Sequence, residues 1–343
     1  MKKIHGGDGY NYDEMYDYSI NVNPLGAPQS VKDALKKAAD RVEAYPSYGS
    51  LEVKNKLAKT LDIPPEFINV TAGASEAFMA IAHGRNYHNV AIKAPSFYGY
   101  EYALKAAGSR LEHFTTQGFH NFLKGYRGDA IFMANPNNPD GEFFDHDSML
   151  EMAQLAKDHS MDLIVDECFL TLSGHEKDSL VYDIKNDPVG MNHVIVVRSF
   201  TKTFAIPGAR IGYFVTSNKA YHKMITSQLI EWNASNLAQA AALAALDETG
   251  SYIDKAVNII KEERPRLIKA LIDKGFEVPK YESGANYIFF KGPAGLKDKF
   301  IEKGFFIRDC SNYYGLKDGD YRIAVRDRAA NDAFINALNG IEL

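Results

Sequence analysis

Ser199-Phe200-Thr201-Lys202-Thr203-Phe204-Ala205-Ile206-Pro207-Gly208-Ala209-Arg210-Ile211-Gly212 holds the densest chemistry in the chain. The apolar run Val194 to Val197 leads into it, so a buried strand ends in hydroxyls, a lone lysine, a glycine-containing turn and an arginine. A lysine desolvated at a strand end can form a Schiff base with an aldehyde, and Ser199, Thr201 and Arg210 supply the hydroxyl and guanidinium donors that a phosphate dianion needs. A Lys beside an Arg is more often solvated surface charge. From these residues alone both readings stand.

Outward from this segment, short apolar runs alternate with amphipathic ones, the pattern of a mainly parallel sheet covered by helices. Strands are expected at Ile68 to Ala72, Val90 to Lys93, Ala130 to Ala134, Leu163 to Glu167, Val194 to Ser199 and Ile211 to Thr216. Helical spacing fits Ser30 to Val42, Ser75 to His83, Ser148 to Lys157 and Asn218 to Leu229. A long helix from Ser251 to Lys274 contains Pro265, expected to kink it and to mark a passage between domains. Beyond it, strands near Tyr287 to Phe290, Phe306 to Asp309 and Tyr321 to Val325, with helices after Leu296 and Arg328, make a smaller α+β unit. The expected division is an arm with part of the small domain at 1–44, a large domain at 45–250 and a small domain at 251–343.

Three further segments carry chemistry. Asn135-Pro-Asn-Asn-Pro-Asp-Gly141 follows a strand and by composition is a turn. Asp166 ends the strand Asp162 to Phe169, where an acid can equally cap the next turn. Thr71-Ala-Gly-Ala-Ser-Glu76 joins a strand to a helix, so the N–H groups of Ala74 and Ser75 can cradle phosphate at a helix N-terminus. Taken with the lysine segment, in their order along the chain, the four resemble the class I/II aminotransferases, the fold-type-I pyridoxal-phosphate enzymes.

That resemblance implies an α/β fold with a mostly parallel seven-stranded sheet in the large domain, a smaller α+β domain, and pyridoxal 5'-phosphate as cofactor. It gives Lys202 the aldehyde, Asp166 the pyridine nitrogen, kept protonated so that the ring accepts electrons, and Asn138 the ring hydroxyl. Ala74, Ser75, Ser199, Thr201 and Arg210 take the phosphate. Phe97 stacks on the ring, although an aromatic after a strand is often plain core. Tyr45, in Ala44-Tyr45-Pro46, matches a tyrosine that reaches the partner's cofactor phosphate in dimers of the family, which makes a homodimer the expected state.

Within the family the chain resembles the histidinol-phosphate aminotransferases and the threonine-phosphate decarboxylases. The opening His5-Gly6-Gly7, the stretch Ser19-Ile-Asn-Val-Asn-Pro-Leu-Gly26, Trp232 with Leu237-Ala-Gln239, and the tail around Arg308 and Arg322 lean towards the decarboxylases. Phe169 stands where the aminotransferases of this branch carry a tyrosine. Ser235 and Ile20 depart from the decarboxylase pattern. Arg322 is expected to clamp a substrate α-carboxylate and Arg308 a second anion, with His5 and Asn23 meeting substrate phosphate from the arm. As bare residues the two arginines are more often surface ion pairs, and the arm is as well read as structural. A decarboxylase acting on L-threonine O-3-phosphate is the first expectation, a histidinol-phosphate aminotransferase the second, and a non-catalytic cofactor-binding regulator a remote third, since a regulator needs an added DNA-binding domain.

Composition is consistent with a packed core, with 45% hydrophobic and 24% charged residues in 343, including 20 Tyr and 20 Phe. Lys plus Arg is 39 against 44 Asp plus Glu, too even for nucleic acid or an anionic membrane as partner. Metal and dinucleotide motifs are lacking: no His pair has helix spacing, and Gly7-Asp8-Gly9 lacks the third glycine. Cys168 and Cys310 make no disulfide framework, no leader is evident, and a reduced cytoplasmic setting is expected.

Overall fold

The computed structural model describes residues 15–280 and 284–342. In chain order the strands are β1 (Tyr16–Asp17), β2 (Ile68–Thr71), β3 (Asn89–Lys93), β4 (Arg110–Phe114), β5 (Ala130–Ala134), β6 (Asp162–Asp166), β7 (Val194–Ser199), β8 (Gly212–Val215), β9 (Tyr287–Lys291), β10 (Phe305–Phe306), β11 (Arg308–Asp309) and β12 (Asp320–Ala324). Seven of them form the central sheet in the order β2-β8-β7-β6-β5-β3-β4. The run from β7 to β4 is parallel throughout, and β8 runs against both of its neighbours.

The central strands read as unbroken apolar runs because both faces are covered. On one face Val194 and Val196 pack with Leu163, Val165, Ile131 and Met133. On the other Ile195 and Val197 meet Ile164, Phe132 and Ala134. Burying each side chain of this size stabilises by about 1.5–3 kcal/mol. Parallel strands bring their C-terminal ends to one edge, where ligands bind in such sheets. Thr71, Asp166 and Ser199 all end strands there.

β4 was not anticipated. Its sequence, Arg-Leu-Glu-His-Phe, carries three polar residues among five because it is an edge strand, paired to β3 alone. The helix Ser251–Asp273 runs through Pro265 without interruption, keeping one buried stripe at Tyr252, Ala256, Ile260, Leu267 and Leu271. The passage between cores therefore lies at its start and not at the proline: Tyr252 belongs to the large core, Ala256 and Ile260 to the small one.

The arm is shared. β1 pairs with β10, and Tyr18 is fully buried in the small core with its hydroxyl donating to Asn331 Oδ1 at 3.0 Å. The helix Gln29–Ala39 instead sends Val31 into the large core, so the arm is not confined to the small domain. In the small domain β11, β12 and β9 form an antiparallel sheet. The apolar run Leu237 to Leu246 lies in the helix Asn236–Asp247, which Ser235 caps by accepting from Ala238 N at 3.1 Å; that is the local work of the serine at this position. Among the described residues no helix is long and apolar enough to cross a membrane.

Candidate active site

Where the parallel strands end, a cavity of about 380 Å³ opens between the large domain, the arm and the small domain. Lys202 lines it from the four-residue helix Phe200–Thr203. Ser199 caps that helix through its side chain, accepting from Thr201 N at 3.1 Å, so the strand end and the lysine turn form one unit. The Lys202 ammonium is pushed down to about 8, first by desolvation and then by the positive charge of Arg322, with Arg210 adding to it. Lys202 Nζ lies 5.8 Å from the centre of the Phe169 ring.

One wall of the cavity is an anion cradle. The helix Ala74–Arg85 begins here, capped by Gly73 at φ 85° with no side chain closing the end, so its first N–H groups remain for a ligand. Arg210 lies against it: a Cβ on Gly73 would stand 2.8 Å from Arg210 Nη2. Gly212 performs a second close approach, since a Cβ there would meet Arg198 O at 2.8 Å and Ala74 N at 3.0 Å. Ser199 Oγ donates to Thr201 Oγ1 at 2.8 Å, which brings both hydroxyls to the same wall. Bare backbone, two hydroxyls and a guanidinium make a donor set for a dianionic phosphate.

The opposite part of the cavity holds the acid. Asp166 Oδ2 accepts from Tyr100 Oη at 2.6 Å and Oδ1 from Cys168 N at 3.0 Å. Burial pushes this carboxyl up, against those two bonds and the charge of Lys202. Phe97, Phe78 and Cys168 also line the cavity. Asn138, nine-tenths buried, accepts from Arg322 Nη1.

Arg322 joins three pieces of chain. Besides Asn138 it donates to Ser19 O at 2.7 Å, and Asn21, with its amide oxygen turned towards the guanidinium, accepts from Nε at 3.1 Å and Nη1 at 3.2 Å. Arg308 sits directly opposite on β11, in register with Arg322. It donates to Asn312 Oδ1 at 2.8 Å and lies 5.2 Å from the Tyr313 ring, so it backs the cavity wall that Asn312 and Tyr313 form.

Ten residues expected at the site are brought together around this cavity: Lys202, Asp166, Ala74, Ser75, Phe97, Asn138, Ser199, Thr201, Arg210 and Arg322. Asn23 is not among them. Its amide donates to Thr203 O at 2.8 Å and accepts from Leu25 N at 2.9 Å, while its N–H donates to Lys202 O at 3.0 Å, which makes it the fastener between arm and lysine turn. Among the described residues, those of the arm that do reach the cavity are Ser19, Ile20 and Asn21. Tyr45 is 81% exposed, its ring 4.8 Å from that of Trp232. His5 lies outside the described residues. Asn21, Asn312 and Tyr313 were not among the expected site residues; Asn21 stands two before Asn23, a spacing that extended backbone repeats on one side, and this was the available signal.

Residues 13–338 match the family model for aminotransferase class I and II. The chain is 29% identical to the threonine-phosphate decarboxylase of Salmonella typhimurium over 99% of this chain and 97% of that one. Among solved structures, the histidinol-phosphate aminotransferase from Clostridium acetobutylicum superposes with a TM-score of 0.86 at 29% identity, covering 95% of this chain and 98% of the other. The L-threonine-O-3-phosphate decarboxylase from Porphyromonas gingivalis does so with a TM-score of 0.83 at 28% identity, covering 95% and 98%. With a match over nearly its whole length, a sheet edge built for an anion and a lysine facing a buried acid, this chain belongs to the class I and II aminotransferase family of pyridoxal-phosphate-dependent enzymes.

Proposed function

We propose that the chain is a lyase that decarboxylates a phosphorylated amino acid, L-threonine O-3-phosphate, working as a homodimer in the cytoplasm. The observation that carries this reading is Arg322 on the cavity's small-domain wall, with Arg308 in register beside it on β11 and bonded to Asn312, which lines the same wall. A guanidinium in the cavity, with a second on the neighbouring strand behind the same wall, suits a short substrate with two anionic ends, a carboxylate and a phosphate. Phe169 adds to it: its ring packs on Tyr287 at 4.9 Å and leaves no hydroxyl of its own near Lys202.

Lys202 would hold the cofactor's aldehyde carbon, Asp166 its ring nitrogen, Asn138 its ring hydroxyl, Phe97 a ring face, and Ala74, Ser75, Ser199, Thr201 and Arg210 its phosphate. When bound, the cofactor supplies a ring that accepts the electron pair left by a bond broken at the substrate Cα. Arg322 decides which bond that is, because the bond held perpendicular to the ring breaks fastest and the guanidinium fixes the carboxylate. Asn21 and Asn138 in turn fix the guanidinium. With the carboxylate held by Arg322 and lost as CO₂, Lys202 would supply the proton that takes its place on Cα. An ammonium held down to about 8 can both give and regain that proton near neutral pH.

The dimer is argued from Tyr45, Tyr48 and Trp232, an exposed aromatic cluster of the kind that marks an interface, with Tyr45 meant for the partner's phosphate cradle. Two buried free thiols, Cys168 and Cys310, suit a reducing compartment.

A second reading, amine transfer to imidazole-acetol phosphate, is favoured by the likeness to the Clostridium aminotransferase. Carboxyl-labelled phosphothreonine given to the holoenzyme without a keto acid separates the two. Stoichiometric labelled CO₂ with an amino-alcohol phosphate is expected; no CO₂, but glutamate-dependent amination of imidazole-acetol phosphate, would establish the aminotransferase instead.

A further inference from the structure

We propose that Tyr100 is a positioning residue for Asp166, its phenol fixing the carboxylate's orientation and favouring its charged state for a ring nitrogen. The proposal rests on the reading of Asp166 given above.

Tyr100 stands in the first turn of the helix Tyr98–Ala106, three residues after Phe97, and its side chain is almost fully buried. Its ring is caged: Phe78 meets it edge-on at 4.8 Å, Phe97 at 5.6 Å, and Phe132 lies at 6.2 Å. A ring so held cannot swing its hydroxyl elsewhere, and the hydroxyl donates to Asp166 Oδ2 at 2.6 Å. With Cys168 N on Oδ1, two neutral donors occupy one acceptor site on each oxygen. A carboxylate offers about four such sites, so capacity remains on the side that faces the cavity.

The arrangement answers a specific difficulty. Burial disfavours the charged carboxylate, and among the described residues no cation is hydrogen-bonded to Asp166 to restore it. The ionisable groups acting on it are Tyr100 and Cys168, which donate from one side, Lys202 across the cavity, and Tyr287 from the small domain. Tyr100 and Cys168 keep their protons to high pH because they are buried, so the phenol donates throughout the working range. A tyrosine serving packing alone would give phenylalanine the same result.

Tyr100→Phe keeps the ring and its cage. Pyridoxal phosphate affinity is measured by equilibrium dialysis between pH 6 and 9 for the native protein, Tyr100→Phe, Asp166→Asn and the double variant. Tyr100→Phe is expected to weaken binding about tenfold at pH 8 and further as pH falls, because the carboxyl without its donor protonates at higher pH. The double variant should bind no worse than Asp166→Asn, and kcat should fall while KM for phosphothreonine stays. Replacing Tyr100 by 3-fluorotyrosine, a stronger donor of nearly the same shape, should move the pH at which binding is lost downwards. Native affinity across the pH range in Tyr100→Phe, with Asp166→Asn impaired, would overturn the role of Tyr100; so would a loss that adds in full to that of Asp166→Asn. Native affinity in Asp166→Asn would remove the reading of Asp166 itself, and the proposal with it.

Discussion

Asp166 and Glu167 are consecutive acids, both buried, on opposite sides of one strand end. Glu167 is fully committed to protein: Arg198 contributes Nε at 3.0 Å and Nη2 at 2.9 Å, Ser179 Oγ donates at 2.6 Å and Leu180 N at 3.0 Å. Arg198 goes on to Glu176 at 2.7 Å, tying β7 to the loop beyond β6. Asp166 has two neutral donors and a cavity in front of it. Glu167 is neutralised by the fold; Asp166 is left for something the fold does not supply. Local sequence does not distinguish them; their partners do.

The sharpest way to break this contrast is to move from charge to chemistry on the Asp166 side. Lys202→Ala should lower turnover by at least about 10⁴-fold while the thermal midpoint of the apoprotein stays within a few degrees of native. Asp166→Ala should lower kcat by about 10²-fold, again with the fold intact by circular dichroism. Glu167→Gln should invert the pattern, costing about 3 kcal/mol in urea unfolding by leaving Arg198 uncompensated, with kcat of the folded enzyme within a few-fold of native. Equal stability losses at 166 and 167 would dissolve the comparison.

A smaller effect concerns pH. Only the neutral amine of Lys202 can capture an aldehyde, and at pH 7 a group held at about 8 is neutral about one tenth of the time, far above one at the ordinary 10.5. Stopped-flow absorbance of pyridoxal phosphate capture by apoprotein should therefore rise about tenfold from pH 7 to 9 and level off. A continued rise towards pH 10.5 would show an unshifted lysine. Least in size is the hybrid test: exchanging inactive Lys202→Ala chains with Tyr45→Ala chains should restore about a quarter of native activity, since half of the dimers then hold one intact site. No recovery despite confirmed exchange would place every site within one chain.

The site was legible where chemistry is dictated by neighbours in sequence. The lysine turn, the Gly73 helix start and the strand-end Asp166 each need specific residue types within a few positions, and each lines the cavity. Asn21 and Asn23 differ by two positions, and nothing local tells which one meets the arginine; that is decided by how the arm crosses the small domain. Tyr100 was similarly hidden, because an aromatic in a helix is most often core and this one is both core and donor. In the fold, buried strands announced themselves by apolar runs, whereas β4 carries charges at the sheet edge. Pro265 misled because the removal of one N–H mattered less than an unbroken buried stripe.

The helix Ser251–Asp273 acts as a lever arm. At 1.5 Å per residue it is about 34 Å long, rooted by Tyr252 in the large core and carrying the small core along the rest. A tilt of about 5° at its root would carry the far end by about 3 Å, as much as the whole length of a hydrogen bond. Among the bonds that oppose it are two that land on one turn: Tyr287 Oη donates to Asn137 O at 2.7 Å, and Arg322 to Asn138. Any such tilt would have to break both, so the turn that would hold the cofactor's hydroxyl also fastens the small domain to the large one.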